Sequence, residues 1–247
     1  MKRSDEELTF WEHLDVLRGS LIKMIAAAVI MAVGAFFMKD EIFAAVLAPS
    51  HSDFVVYRWI GAEPFAITLI NTGIAGQMMT HLKVSMVVGA LTASPYIIYL
   101  LFRFISPALY DDERRCSVRL VGSAYVMFVV GVVLNYFIIF PFTVRFLGTY
   151  QVDAEVTNML TLSSYVDTLL MMSLVFGIVF EIPVVAWLLG RFGLLKAEWM
   201  RRYRRHAIVA ILVVAAVITP TADIFTLTMV SLPIWLLYEV SVLLVRN

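Results

Sequence analysis

Leu120–Phe142 reads LVGSAYVMFVVGVVLNYFIIFPF, 23 residues without an Asp, Glu, Lys or Arg. About 20 apolar residues in a helix cover the roughly 30 Å of bilayer hydrocarbon, so this run alone is long enough to cross a membrane. Its one strongly polar member is Asn135, a side chain that in lipid finds a hydrogen bond to a neighbouring helix. Similar runs lie on both sides. Leu21–Met38 carries Lys23 near its start, where the side chain can snorkel to the interface. Val84–Phe102 contains Pro95, which a membrane helix tolerates with a kink. Leu169–Leu189 is interrupted by Glu181 and Pro183. Ala207–Ile218 is 12 residues long, or about 18 Å of helix. The turn signal Thr219-Pro220-Thr221-Ala222-Asp223 separates it from a last run, Ile224–Val245, which contains Glu239. The fifth and sixth runs both read as short for a normal bilayer, and each needs a thinned bilayer or longer neighbours.

The whole composition agrees. The chain has 247 residues, is 61% hydrophobic and 15% charged, and has a mean hydropathy of +0.87. A soluble domain holds about 25% charged residues. A soluble enzyme, a disordered tail and a nucleic-acid-binding module are therefore excluded. Net charge is zero. Cys116 is the single cysteine, so neither an internal disulfide nor a Cys-based metal site is expected, and no histidine falls in an H-E-x-x-H pattern. No metal and no cofactor is expected. The first apolar run has acids before it and no small-x-small site, so it reads as a retained span, not a cleaved signal. There is no internal repeat, and the two halves are not inverted copies of each other, unlike many secondary transporters.

Six passes put both termini on one side of the membrane. Of 19 Lys and Arg residues, 15 fall on the side of the termini and four (Lys39, Arg58, Lys83, Arg145) on the other. Basic residues favour the cytoplasmic side. The expected fold is therefore all-α: a polytopic integral membrane protein, one membrane domain over residues 1–247, with six transmembrane helices and both termini cytoplasmic. Two long outer segments, near Lys39–Thr80 and Arg145–Thr168, suit a cap or a short surface helix.

Several strings then line up. His13-Leu14-Asp15-Val16-Leu17-Arg18 precedes the first span, and Ser94-Pro95-Tyr96 lies inside the second. Phe104-Ile105-Ser106-Pro107-Ala108-Leu109-Tyr110-Asp111-Asp112-Glu113-Arg114-Arg115 follows it. Phe176-Gly177-Ile178-Val179-Phe180-Glu181-Ile182-Pro183 lies in the fourth span, and Leu237-Tyr238-Glu239-Val240-Ser241 ends the sixth. Together these closely resemble the TatC family, the large polytopic subunit of the twin-arginine protein translocase, from about His13 to Ser241. The resemblance implies a receptor in the inner (cytoplasmic) membrane for folded precursor proteins whose signal peptide carries paired arginines. It further implies assembly with TatA/TatB-type single-span subunits, a homo-oligomer within that complex, and transport driven by the proton-motive force. No G-x-x-x-x-G-K-[ST] phosphate loop occurs in the chain, in agreement with a non-nucleotide drive.

Two neighbouring guanidiniums call for carboxylates, which accept them bidentately. By the resemblance, Glu113 matches the acid of the first cytoplasmic loop; the alternative is a solvated charge paired with Arg114 or Arg115. The family commonly has a glutamate directly before Leu-Arg, and here that position is Val16. Asp15 is one residue away, a rotation of about 100° on a helix; Glu12 is four residues before Val16 and shares its face. Either acid can replace the glutamate, or both serve only as helix N-terminal charge. Arg18 is a positive-inside anchor or a direct binder, and His13 an interfacial polar residue or a direct binder. Phe104 offers an apolar contact for the signal peptide.

Glu181 lies deep in an apolar run with no basic residue in the same span. A carboxylate there is costly and is turned to a cavity, protonated or paired. It is read as a contact for a polar residue of a single-span partner or a polar point that perturbs the bilayer, against a packing role. Glu239 is read as an interface or partner contact, and Asp223 as a cap for the sixth helix. A proton-coupled small-solute carrier using Glu181 is the alternative function. An intramembrane enzyme lacks any recognisable constellation of catalytic residues.

Overall fold

The computed structural model describes residues 10–65, 67–105, 114–151, 153, 158–219 and 223–245. Eleven α-helices and one two-stranded sheet are found among them. Six apolar passes are built from α1 (Phe10–Phe37), α4 (Gly76–Ile105), α5 (Arg114–Leu134) with its continuation α6 (Phe140–Thr149), α7 (Leu162–Val179) with α8 (Ile182–Arg191), α10 (Arg204–Ile218) and α11 (Ile224–Leu244). Five of them are long and apolar enough to cross a bilayer; α10, with 15 residues, is the short one.

Several span limits differ from the sequence reading. The first helix starts at Phe10 rather than Leu21, because Arg18 is exposed on the helix and does not end it. The fourth span is not one helix but two, parted at Phe180–Glu181. The sixth is not short: α11 runs unbroken through Glu239 for 21 residues, about 31 Å at 1.5 Å per residue. Pro95 lies inside α4 without ending it.

The chain divides into two compact units, residues 1–37 with 85–125, and residues 38–84 with 126–247. In the first unit, α1 and α4 cross at Ala32 and Gly89. A Cβ added at Gly89 would run into the backbone of Ala32, so only glycine permits this approach, as small residues do at membrane helix crossings. Most other apolar side chains of α1 are exposed, including Ile25, Val29, Ile30 and Val33. With no aqueous role for such a surface, lipid is its solvent.

The second unit carries the outer cap: α2 (Lys39–Leu47), a 3-10 turn at Ala48–Ser50, and α3 (Val55–Trp59). The last carbonyls of a helix have no partner within it. Here those of α2 are taken up from outside. Tyr136 Oη donates to Ala45 O at 2.7 Å, Tyr165 Oη to Val46 O at 3.0 Å and Ser50 Oγ to Leu47 O at 2.7 Å. Tyr57, almost fully buried, places its hydroxyl 3.0 Å from Pro49 O and 2.8 Å from Pro141 O. Burial pushes the Tyr57 phenol well above its ordinary value, with the Arg145 charge opposing. Phe54, Phe65 and Tyr136 pack around it. Strands β1 (Leu69–Ile70) and β2 (Leu160–Thr161) pair in parallel, Leu69 with Leu160. Lys83 Nζ meets both Asp167 oxygens at 2.8 Å, joining the N-terminal parts of α4 and α7.

The residues Asn135–Ile139 form a π-helical turn that joins α5 to α6. Pro141 follows at once. A proline ring clashes with the carbonyl four residues earlier, here Phe137, and the widened turn gives it room. At the other end of this unit α8 packs on α11, with Ala186, Ala197, Met200, Val242 and Val245 forming the core. Asp223 accepts a hydrogen bond from Thr226 N at 2.7 Å and so caps α11, as its position in the turn predicts.

Candidate functional site

The acids proposed to meet cargo belong to the first unit. Asp15 and Arg18 are exposed on α1, and Val16 is exposed beside them. Glu12 lies in the first turn of α1. Phe104 is half-buried in the last turn of α4. Glu113 lies outside the described residues, directly before α5. Asp15 lies 17 residues before Ala32, and Phe104 lies 15 residues after Gly89, about 25 Å and 22 Å along helices that rise 1.5 Å per residue. Consecutive passes run in opposite senses. Both side chains therefore leave the α1–α4 crossing toward the same end, at nearly the same depth.

Glu181 belongs to the second unit, and its setting is built by the backbone. Pro183 has no N–H to offer the Val179 carbonyl, so the helical ladder stops there. Glu181 N bonds Ile178 O at 3.0 Å in a tightened turn, and Val185 N bonds Glu181 O at 2.9 Å as α8 begins. Both carboxylate oxygens are buried, and neither has a hydrogen-bond partner among the described residues. Buried polar groups are almost always paired, so this carboxyl group calls for a donor that the described residues do not supply.

The wall next to it is α5, packed hard on α7. A Cβ at Gly131 would stand 2.5 Å from Phe176 O and 2.9 Å from the Phe180 ring, and one at Gly177 would stand 2.6 Å from the Phe128 ring. Two turns away from Glu181, Asn135 Nδ2 donates to Ser173 Oγ at 2.9 Å. The interhelical bond expected of Asn135 is thus present, and the pairs Ser173–Gly177 and Gly131–Asn135 are small and polar residues at four-residue spacing.

Glu239, read as an interface or partner contact, finds an ion-pair partner within the chain. Arg204 Nη2 donates to Glu239 Oε2 at 2.7 Å, closing the inner end of the α10–α11 hairpin. That pair, the Lys83–Asp167 pair and the tyrosine ties of the cap escaped the sequence reading. Opposite charges at the edges of separate spans were the available signal for both ion pairs. No group of His, Cys, Asp and Glu suited to a metal is found among the described residues.

Relatives and solved structures match this arrangement across its length. The Sec-independent protein translocase family, TatC, matches residues 12–233. The Sec-independent protein translocase protein TatC of Blattabacterium sp. subsp. Periplaneta americana is 31% identical over 257 residues, covering 98% of this chain and 96% of that one. A crystal structure of the twin arginine translocase receptor TatC superposes with a TM-score of 0.80 at 32% identity, covering 94% of this chain and 97% of that one. A second, in DDM, gives 0.82 at 31% identity, covering 95% of this chain and all of that one. Five long apolar helices and this kinship make the protein a multi-pass membrane protein. The chain belongs to the TatC family of Sec-independent protein translocase proteins, components of protein transport and not enzymes.

Proposed function

We propose that this chain is the receptor subunit of a twin-arginine translocase of the inner membrane, with both termini cytoplasmic. It binds twin-arginine signal peptides of folded precursors and recruits TatA/TatB-type single-span subunits for export driven by the proton-motive force, working as a homo-oligomer within that complex. The observation that carries this reading is the full-length structural match to proteins named as twin arginine translocase receptors.

Glu113 accepts one guanidinium of the signal peptide, and Asp15 or Glu12 supplies the second carboxylate in place of the glutamate that Val16 lacks. Phe104 contributes apolar contact, and Arg18 sets the position of α1 at the interface. A charge-assisted hydrogen bond contributes about 1.5–3 kcal/mol, so each carboxylate accounts for at least a tenfold gain in affinity. The exposure of Asp15 and its arrival at the same end as Phe104 support the assignment. Glu181 serves a later step, offering a carboxyl group that has no hydrogen-bond partner among the described residues to a polar residue of a single-span partner. No observation favours the small-solute carrier.

Photo-crosslinkers placed at positions 113 and 15 test this. A twin-arginine precursor should crosslink from both, and a twin-lysine precursor should crosslink at least tenfold less. Equal yields for the two precursors would refute the reading.

A further inference from the structure

The loop between the fourth and fifth passes is the most strongly charged surface of the described chain. Between residues 191 and 206 there are six basic side chains, Arg191, Lys196, Arg201, Arg202, Arg204 and Arg205, against one acid, Glu198. Helix α9 (Ala197–Arg202) lies in the middle of it. One face of α9 is fixed. Ala197 and Met200 are buried against Ala186, Val242 and Val245, and Tyr238 Oη donates to Met200 O at 2.6 Å. The other face is open: Trp199 is 53% exposed and Tyr203, just after it, 54%. Arg201, Arg202 and Arg205 are exposed too, and no acidic side chain among the described residues pairs with them. Arg204 is held by Glu239.

We propose that this open face binds anionic phospholipid head groups of the adjoining leaflet, with Arg201, Arg202 and Arg205 as phosphate ligands. Four observations select lipid as the occupant. The fifth pass offers only Ala207–Ile218, 12 residues after His206, about 18 Å against about 30 Å of hydrocarbon. Its opening arginines are therefore drawn to the depth of the lipid phosphates. Trp199 and Tyr203 stand beside them, and such amphipathic rings settle at head-group level. A short helix buried on its protein side, with Arg and Trp outward, lies in the interface plane. Finally, the guanidinium fork matches phosphate bidentately. An acidic peptide would satisfy the charge but would leave the exposed Trp199, Tyr203 and Leu194 without a reason.

The purified full chain in zwitterionic nanodiscs, titrated with phosphatidylglycerol and read by native mass spectrometry of lipid adducts, tests the proposal without any signal peptide. Near an anionic surface each basic residue contributes a factor of about five. The combined variant Arg201→Gln/Arg202→Gln/Arg205→Gln should therefore bind phosphatidylglycerol roughly a hundredfold more weakly, and each single variant about fivefold more weakly. Added phosphatidylcholine should not bind, and Arg58→Gln, in the outer segment, should bind as the parent does. Equal binding of the two lipids would overturn the proposal, as would undiminished phosphatidylglycerol binding by the single and combined variants. So would an acidic peptide binding the same arginines where phosphatidylglycerol does not.

Discussion

Gly131→Ala and Gly122→Ala place the same methyl group on the same helix, nine residues apart, with opposite consequences. At Gly122 the added Cβ meets nothing within 4 Å, whereas at Gly131 it stands 2.5 Å from the Phe176 carbonyl oxygen. Close carbon–oxygen contacts between helices settle at 3.3–3.6 Å, so α5 and α7 must part by about 0.8 Å or more. Overpacking of this kind costs about 1–3 kcal/mol. The helix-propensity gain of alanine over glycine, up to about 1 kcal/mol, is common to both variants and cancels in their difference. Gly122→Ala should thus be as stable as the parent or more so, and Gly131→Ala about 1–3 kcal/mol less stable than Gly122→Ala. Reversible unfolding in mixed micelles measures the difference. The strain falls one turn before Glu181, so transport should drop in Gly131→Ala while signal-peptide binding holds. Stabilities equal within about 0.5 kcal/mol would refute the claim that the backbones of α5 and α7 meet at this point.

Glu181→Ala should impair transport more than signal-peptide binding, measured side by side in membrane vesicles; parallel loss of both would make Glu181 a packing residue only. Tyr57→Phe leaves the carbonyls of Pro49 and Pro141 without the phenol donor and should cost about 1–3 kcal/mol. The folded protein holds the Tyr57 phenol above its ordinary value of 10.0, so it favours the neutral form. The stability this contributes is complete below about pH 10 and is lost as pH rises beyond it. The parent should therefore lose more stability than Tyr57→Phe between pH 8 and pH 11; an equal loss would show that Tyr57 is not buried.

The number of passes and their order could be read from apolar runs alone, because lipid forces the whole surface of a span to be apolar. Their ends could not. Glu239 looked like a stop because a lone carboxylate is costly in a helix facing lipid, but Arg204 lies against it and the pair is carried at the inner end of two helices. Pro183 gave the break beside Glu181 its chemical cause, yet a membrane helix also tolerates proline, and the choice depended on packing against α5. Gly131, Gly177 and Gly89 are indistinguishable from Gly122 in the sequence; what separates them is the partner helix. The ties of the cap join residues far apart in the chain, Tyr57 to Pro141 and Tyr165 to Val46, 84 and 119 positions away. No local pattern announces such contacts. Asp223 and Asn135 were legible because each acts through a short-range rule, capping in one case and the need of an amide in lipid for a partner in the other.

The receptor reading depends on the acids before α5 facing the cytoplasm. The variant Glu113→Cys in a Cys116→Ser background has one thiol, and Cys116 is the only native one to remove. Treated with a membrane-impermeant maleimide, inside-out vesicles should label at position 113 and right-side-out vesicles should not, and a bound twin-arginine precursor should slow that labelling where a twin-lysine precursor does not. Labelling confined to right-side-out vesicles would put the carboxylate on the wrong face of the membrane and contradict the account.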